Sequence, residues 1–160
     1  LSRMNRTLIP MLTQGGQFLF ATACYMVLDM ESGRLTYAVA GHPSPIRVSE
    51  GRVDWLEDPG MEAEPALAIS EDSRYATREQ VLLPGDTVFM YTDGIHETVN
   101  AEGEEFGNER LLRAVEQYRE GSLHRLFTRL VDTSCSFSQA GKLEDDVCLI
   151  GFKLNRILNG

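Results

Sequence analysis

Apolar and polar residues alternate with a period of two over much of the chain, which is the pattern of β-strands. Turn residues such as Gly33 and the pair Glu50-Gly51 separate the runs and indicate hairpins. The first run is apolar on both faces, so we expect a central strand that is covered on both sides. Strands are predicted over residues 18–28, 34–40, 46–48, 52–56, 75–83, 87–92 and 147–154.

Three segments have the 3.6-residue period of amphipathic helices instead. The first covers residues 1–9, and Pro10 is expected to bend or end it. The other two are preceded by Asn108 and Ser122, which are predicted N-caps. The predicted apolar face of the first helix consists of Leu1, Met4 and Leu8.

The order of these elements predicts the fold class. A run of strands is followed by two helices and a final strand, and this order favours an α+β fold with antiparallel sheets over alternating βαβ units. Residues 57–72 form an acidic stretch with two prolines between strand patterns. We interpret this stretch as an irregular, solvated surface loop; the alternative is contact with a partner protein through a segment that includes Met61 and Ala63.

Composition and charge narrow the classes of function. The 160 residues are 42% hydrophobic and carry a net charge of −9, which fits one globular domain and argues against binding to nucleic acid or anionic membranes. No apolar run approaches the roughly 20 residues that span a bilayer. The three cysteines form no C-x-x-C pair, which indicates reduced thiols and a cytoplasmic location. Cys24 and Cys148 are interpreted as small buried apolar residues.

Candidate chemistry is concentrated in aspartates at the ends of predicted strands, because common hydrolase, nucleotide-binding and zinc motifs are absent. Asp93 follows a buried strand and precedes Gly94, so a rigid element would hold its carboxylate while the backbone turns away. That placement suits a metal ligand or a general base. The alternative is an ordinary Asp-Gly turn.

A second acidic group, Asp145-Asp146, lies directly before the last strand and follows Glu144. Adjacent carboxylates repel one another, and a bound cation would compensate for this repulsion. The alternative is a solvated turn whose charges protect the strand from aggregation. A glycosidase that uses Asp93 and Asp145 is a further hypothesis, but no aromatic platform for a sugar supports it.

The histidines give weaker signals. His42 lies in a Gly-His-Pro turn and is expected to bond local backbone rather than a phosphate. His96 lies two residues after Gly94, either at the mouth of a site or simply in a surface loop. His124 is expected on the exposed face of the last helix.

Five segments occur in the order found in a known family: Phe20-Ala21-Thr22-Ala23, Tyr37-Ala38-Val39-Ala40-Gly41-His42-Pro43, Leu83-Pro84-Gly85-Asp86, Tyr91-Thr92-Asp93-Gly94 and Glu144-Asp145-Asp146-Val147. Together they resemble the SpoIIE-like bacterial branch of the metal-dependent Ser/Thr protein phosphatases, the PPM superfamily. The resemblance implies an α-β-β-α sandwich of two antiparallel sheets flanked by helices. It also implies two Mn²⁺ or Mg²⁺ ions and a metal-activated water that attacks the phosphorus of phosphoserine or phosphothreonine.

The resemblance also assigns roles to residues. Asp93 and Asp145 correspond to catalytic metal ligands, with Gly94 beside the bound ions. Asp146 is their neighbour, or the ligand if the register shifts by one. Cys148 stands where the family usually has threonine, a difference interpreted as structural.

One part of the family pattern has no counterpart here. The first metal-binding block, an Asp followed by an Asp-x-x-Gly-His-Gly-like segment, is absent, so residues 1–160 are expected to form the C-terminal two-thirds of a phosphatase domain that is incomplete at its N-terminus. The implied substrate is a phosphorylated regulator protein, of the anti-sigma-factor antagonist type found in bacterial partner-switching. A sensor or receiver domain upstream and a homodimer are compatible with the resemblance. The alternative function is a catalytically inactive, phosphatase-like module that binds a regulator.

Overall fold

The computed structural model describes residues 1–13, 19–57 and 64–158. The strands form two antiparallel sheets, which confirms the predicted α+β class, and each of the seven predicted strands has an observed counterpart. In chain order, the elements are α1 Ser2–Leu12, β1 Ala23–Leu28, β2 Arg34–Ala40, β3 Ile46–Ser49, β4 Arg52–Trp55, β5 Arg78–Val81, β6 Thr87–Tyr91, a 3-10 helix Asp93–Ile95, α2 Gly107–Tyr118, α3 Leu123–Phe137 and β7 Leu149–Lys153.

The contacts divide the chain into two compact units. The first contains α1 and a three-stranded sheet in the order β1-β2-β5. The second contains α2, α3 and a four-stranded sheet in the order β4-β3-β6-β7. Among the described helices, none is both long enough and apolar enough to cross a membrane.

In the first unit, β1 and β2 form the predicted hairpin. The Asp29 N–H donates to the Arg34 carbonyl at 2.8 Å, and Gly33 takes a φ of +72°, which a turn of this kind requires. The expectation of a central β1 is wrong, because β1 lies at the edge of its described sheet, and Tyr25 and Val27 are 59% and 48% exposed. Alternation shows which side chains share a face, but it does not show whether that face is covered. Phe18, the first residue of the predicted strand, lies outside the described residues.

Helix α1 differs from its prediction in two respects. Pro10 lies inside the helix, which continues to Leu12. On the predicted apolar face, Leu1 and Leu8 are partly buried but Met4 is exposed, while the neighbouring Asn5 is completely buried. The Asn5 side chain is satisfied by backbone groups of residues 68–70, so a polar residue takes the most buried position of the helix.

The described part of the acidic stretch is held by local contacts in the first unit. The Glu64 carboxylate accepts a hydrogen bond from the Ala76 N–H at 3.0 Å and pairs with Arg78 at 2.9 Å. Arg78 also pairs with Glu57 at 3.3 Å. Residues 58–63, which include Met61 and Ala63, lie outside the described residues, so the predicted partner contact stays a prediction.

The second unit is built around β6, because four of its five residues are buried and β3 and β7 pair on either side of it. Both α2 and α3 pack onto this core. Ser122 caps α3 as predicted, its hydroxyl accepting from the Arg125 N–H at 3.2 Å. The predicted cap at Asn108 is wrong, because α2 begins at Gly107. The core consists of Ile46, Phe89, Tyr91, Ile95, Phe106, Leu111, Ala114, Val115, Leu126 and Leu130.

The segment before β6 fixes the register of that strand. The buried carboxylate of Asp86 pairs with Arg47 of β3 at 2.6 Å. The Asp86 carbonyl accepts from the Leu154 N–H at 2.8 Å, and the Gly85 N–H donates to the Leu154 carbonyl at 2.7 Å. These bonds fix β3 and β7 relative to β6, and β6 leads directly to the candidate site.

Candidate functional site

Two acidic turns meet at one edge of the second sheet. Strand β6 ends at Tyr91, which pairs with Leu149 at the start of β7. Because the two strands are antiparallel, the residues after β6 and the residues before β7 lie at the same edge. This pairing brings the turn of Asp93 next to the turn of Asp145 and Asp146.

Gly94 shows how closely the two turns approach. A Cβ atom at this position would lie 2.9 Å from the Asp146 carbonyl oxygen and 3.3 Å from the Asp145 carbonyl carbon. It would also lie 3.2 Å from a methyl group of Val147. The glycine is therefore required by the contact between the turns.

Thr92 joins the two turns by hydrogen bonds. Its N–H donates to the Cys148 carbonyl at 3.0 Å, and its hydroxyl accepts from the Cys148 N–H at 2.9 Å. The same hydroxyl donates to the Asp146 carbonyl at 2.9 Å. Sequence reasoning did not single out Thr92, although it directly precedes Asp93 in the segment that carries the resemblance.

Two further hydroxyl groups hold the turn that follows Asp93. The Thr98 hydroxyl donates to the Gly94 carbonyl at 2.9 Å. The hydroxyl of Ser134, a completely buried residue of α3, donates to the Ile95 carbonyl at 2.7 Å. A polar residue on the apolar face of α3 was the only sequence signal for this contact.

The three aspartates themselves are exposed. One carboxylate oxygen of Asp93 accepts from the Gly94 N–H at 3.0 Å, and one oxygen of Asp145 accepts from the Asp146 N–H at 2.7 Å. Within the described residues, no ion pair involves Asp93, Asp145 or Asp146. These carboxylates are therefore accessible at the edge of the sheet.

A cavity of about 320 Å³ opens beside these turns. Carboxylate oxygens and hydroxyl groups border it, and hard oxygen donors are the ligands that Mg²⁺ and Mn²⁺ prefer. Among the described residues, no group of three or more His, Cys, Asp or Glu side chains is arranged to hold a metal ion. The donor chemistry thus fits a divalent cation, while the described residues supply only part of a ligand set. The cavity is lined by Gly94, Glu97, Thr98, Val99, Ser138, Glu144 and Asp145.

The three histidines do not line this cavity. His96 is half-buried, with its ring 5.5 Å from that of Tyr91 in an edge-to-face contact, and burial lowers its pKa. His42 bonds the local Pro43 carbonyl at 2.9 Å, as expected, and His124 is exposed on α3, as predicted.

Neither assigned cysteine is fully buried. Cys148 is exposed, so its predicted burial is wrong. Cys24 is only half-buried. The exposure of Cys148 follows from its place next to the acidic turns at the edge of the sheet.

Comparison with known proteins identifies relatives of this chain. The family model described as stage II sporulation protein E (SpoIIE) matches residues 1–155. Protein IcfG of Synechocystis sp. is 32% identical over 102 residues, which is 63% of this chain and 16% of IcfG.

Solved structures support the same relationship at the level of the fold. The SiaA-PP2C domain of Pseudomonas aeruginosa matches with a TM-score of 0.76 and 21% identity, over 93% of this chain and 57% of that one. The phosphatase domain of the cell fate determinant SpoIIE from Bacillus subtilis matches with a TM-score of 0.67 and 14% identity, over 98% of this chain and 67% of that one. The chain thus spans a small part of IcfG and little more than half of the SiaA domain.

Proposed function

This chain belongs to the stage II sporulation protein E (SpoIIE) family, and we propose that it forms part of a metal-dependent phosphatase that acts on phosphoserine or phosphothreonine in proteins. The observation that carries the proposal is the contact between the Asp93–Gly94 turn and the Asp145–Asp146 turn. It gathers exposed carboxylates beside a cavity large enough for a phosphoryl group and its side chain.

In this proposal Asp93 and Asp145 hold Mn²⁺ or Mg²⁺, and Asp146 lies beside them. Two such ions would lower the pKa of a bound water and neutralise charge on the transferring phosphoryl group. The protein holds the backbones of the two ligand-bearing turns together, so the carboxylates start from neighbouring positions when a cation binds.

The electrostatics of the cavity favour a cation-dependent reaction. Glu97, Glu144 and Asp145 give its lining three carboxylates, and a phosphoryl dianion would be repelled by them. Divalent cations would reverse the sign of the local charge. Because two ions carry a charge of +4, we also propose that further ligands come from another part of the intact protein.

The substrate and partners follow from the resemblance described above. We propose a phosphorylated regulator protein of the anti-sigma-factor antagonist type, in a bacterial partner-switching system in the cytoplasm. A sensor or receiver domain upstream would supply the input, and a homodimer is a compatible assembly. These assignments rest on the order of the motifs across residues 20–147.

The test uses the intact protein, a phosphoserine peptide and a titration of Mn²⁺. We expect phosphate release that depends on the cation, and an Asp93→Asn variant whose kcat falls by about a hundredfold or more, as for the loss of a group that stabilises transition-state charge. Asp132→Asn is the matched control, because Asp132 is an exposed aspartate of α3 away from the cavity.

Two results would overturn this proposal. Asp93→Asn could retain the wild-type kcat, in which case Asp93 is not in the site. The wild-type protein could bind a phosphorylated regulator without releasing phosphate at any Mn²⁺ concentration. The second result would favour the alternative, a catalytically inactive module that binds its regulator.

A further inference from the structure

Thr92 connects two segments of the chain that are 54 residues apart in sequence. The pairing of β6 with β7 ends at Tyr91 and Leu149, so the sheet itself does not hold the residues beyond that pair. Within the described residues, every hydrogen bond between the turn after β6 and the turn before β7 involves Thr92.

We infer that Thr92 is a positioning residue whose hydroxyl fixes the Asp93 turn against the Asp145–Asp146 turn and thereby sets the affinity for the divalent cation. This inference rests on the proposed function, because it concerns the same site. It adds a residue that does not itself hold the metal ion or the phosphoryl group.

The chemistry of the hydroxyl explains why this position needs threonine or serine. A single oxygen donates one hydrogen bond to the Asp146 carbonyl and accepts another from the Cys148 N–H, each at 2.9 Å. A hydroxyl group can do both at once, whereas a methyl group of the same size can do neither. Valine at position 92 would therefore keep the shape and lose the cross-link.

Electrostatic repulsion between the two turns would oppose their contact. Asp93, Asp145 and Asp146 carry like charges on turns that are in van der Waals contact at Gly94. Like charges on neighbouring turns repel one another, although solvent reduces the repulsion between exposed carboxylates such as these. Thr92 holds the turns together before a cation binds, so less reorganisation is needed when it does.

Loss of the hydroxyl should leave the protein folded. The bonds that Thr92 makes to Asp146 and Cys148 are solvent-exposed, so water can replace them at small cost. The bonds from Thr98 and Ser134 to the Asp93 turn remain, as does the backbone bond from the Thr92 N–H. The effect is then confined to the relative placement of the two turns.

The experiment compares Thr92→Val with Thr92→Ser in the intact protein. Titration calorimetry with Mn²⁺ measures cation affinity, and hydrogen–deuterium exchange of the cation-free protein measures protection of the Cys148 amide. Thr128→Val is the matched control, because the Thr128 hydroxyl bonds only its own helix, at the His124 carbonyl, and is exposed.

We expect Thr92→Val to lower Mn²⁺ affinity by about tenfold or more, the usual effect of removing a group that orients a metal ligand. Exchange of the Cys148 amide should become faster in the same variant. Thr92→Ser and Thr128→Val should both behave like the wild type. Recovery in the serine variant ties the effect to the hydroxyl rather than to packing.

The inference is overturned if Thr92→Val binds Mn²⁺ as tightly as the wild type, or if the Cys148 amide exchanges no faster. Neither measurement requires turnover, so the two proposals can fail separately. A protein with no phosphatase activity whose Mn²⁺ affinity depends on the Thr92 hydroxyl would overturn only the proposed function. An active phosphatase whose Mn²⁺ affinity is indifferent to Thr92 would overturn only the inference.

Discussion

Replacing Asn5 by alanine tests whether a buried polar side chain in α1 holds residues 66–75 of the first unit. The Asn5 amide nitrogen donates to the Ser70 carbonyl at 2.8 Å, and its oxygen accepts from the Ala68 N–H at 2.7 Å. The Tyr75 hydroxyl lies 3.3 Å from the same oxygen. Alanine has no amide, so the Ser70 carbonyl, the Ala68 N–H and the Tyr75 hydroxyl would each lose their bond to residue 5, which is completely buried.

The expected cost comes mainly from the Ala68 N–H, whose hydrogen bond is buried, and less from the Ser70 carbonyl, because Ser70 is exposed. A buried backbone donor or acceptor without a hydrogen bond costs about 1–3 kcal/mol. The higher helix propensity of alanine returns roughly 0.5 kcal/mol. We expect the free energy of unfolding to fall by about 1–3 kcal/mol, and the Tm by about 2–12 °C for a chain of this size.

Urea denaturation of the intact protein measures the change, and hydrogen–deuterium exchange reports the Ala68 amide separately. Asn108→Ala is the matched control, because Asn108 is also an asparagine in a helix but its side chain is exposed. The control should change stability by no more than about 0.5 kcal/mol. Asn5→Asp should be at least as damaging as Asn5→Ala, since it removes the donor and buries a charge.

The reasoning would be refuted if Asn5→Ala and Asn108→Ala had the same small effect. It would also be refuted if the Ala68 amide kept its protection in Asn5→Ala. Either outcome would mean that Asn5 occupies the buried position without holding the segment that contains Ala68.

Three further predictions concern single positions. Gly94→Ala should weaken Mn²⁺ binding in a calorimetric titration, because its Cβ would lie 2.9 Å from the Asp146 carbonyl oxygen; unchanged affinity would contradict the contact between the turns. Ala68→Gly should change the free energy of unfolding in urea by less than about 1 kcal/mol, because relief of a φ of +69° is offset by the loss of a buried methyl group and by the freedom of glycine in the unfolded chain; a loss of about 2 kcal/mol or more would contradict this. Cys148 should react with a thiol reagent before Cys24 at pH 8, because Cys148 is exposed. Burial, with a smaller contribution from the charge of Glu57, raises the pKa of Cys24 from 9.0 to about 11, so about 0.1% is thiolate at pH 8. Its reaction rate should therefore rise about tenfold per pH unit from pH 8 to pH 10, and a flat profile would contradict the raised pKa.

The sequence pattern correctly predicted elements whose structure depends on neighbouring residues. β2 spans the predicted residues Arg34–Ala40, and the hairpin of β3 and β4 closes at the predicted Glu50-Gly51 turn. Alternation and turn residues specify such hairpins without help from the rest of the chain. Helix α3 was predicted in the same way, because its N-cap and the spacing of its apolar residues can both be read from one continuous segment.

The sequence pattern did not predict structural features that depend on residues distant in the sequence. Periodicity placed Met4 on the apolar face of α1, but Asn5 is the buried residue because backbone groups more than 60 residues away satisfy its amide. The start of α2 depends in the same way on a distant group, since the Gly107 N–H donates to the His96 carbonyl at 2.8 Å. Contacts of this kind leave no periodic signal in the sequence.

The candidate site combines both situations. Asp93, Gly94, Asp145 and Asp146 were identified from sequence, and the structure places their turns in contact, while their roles in metal binding stay predictions. Thr92 lies within the same motif, but its importance depends on a partner segment that only the folded chain brings near.

The fold brings together two turns that both carry aspartates, which is electrostatically unfavourable. Like charges on touching turns are unfavourable, and no ion pair within the described residues relieves them. The hydroxyl groups of Thr92, Thr98 and Ser134 offset that repulsion by fixing the backbone of the turns. Natural proteins accept such local conflict mainly at functional sites. A cation bound between the turns would offset the repulsion and stabilise the folded state by an amount that grows with the logarithm of its concentration above Kd, so the same feature that disfavours the cation-free arrangement would favour cation binding.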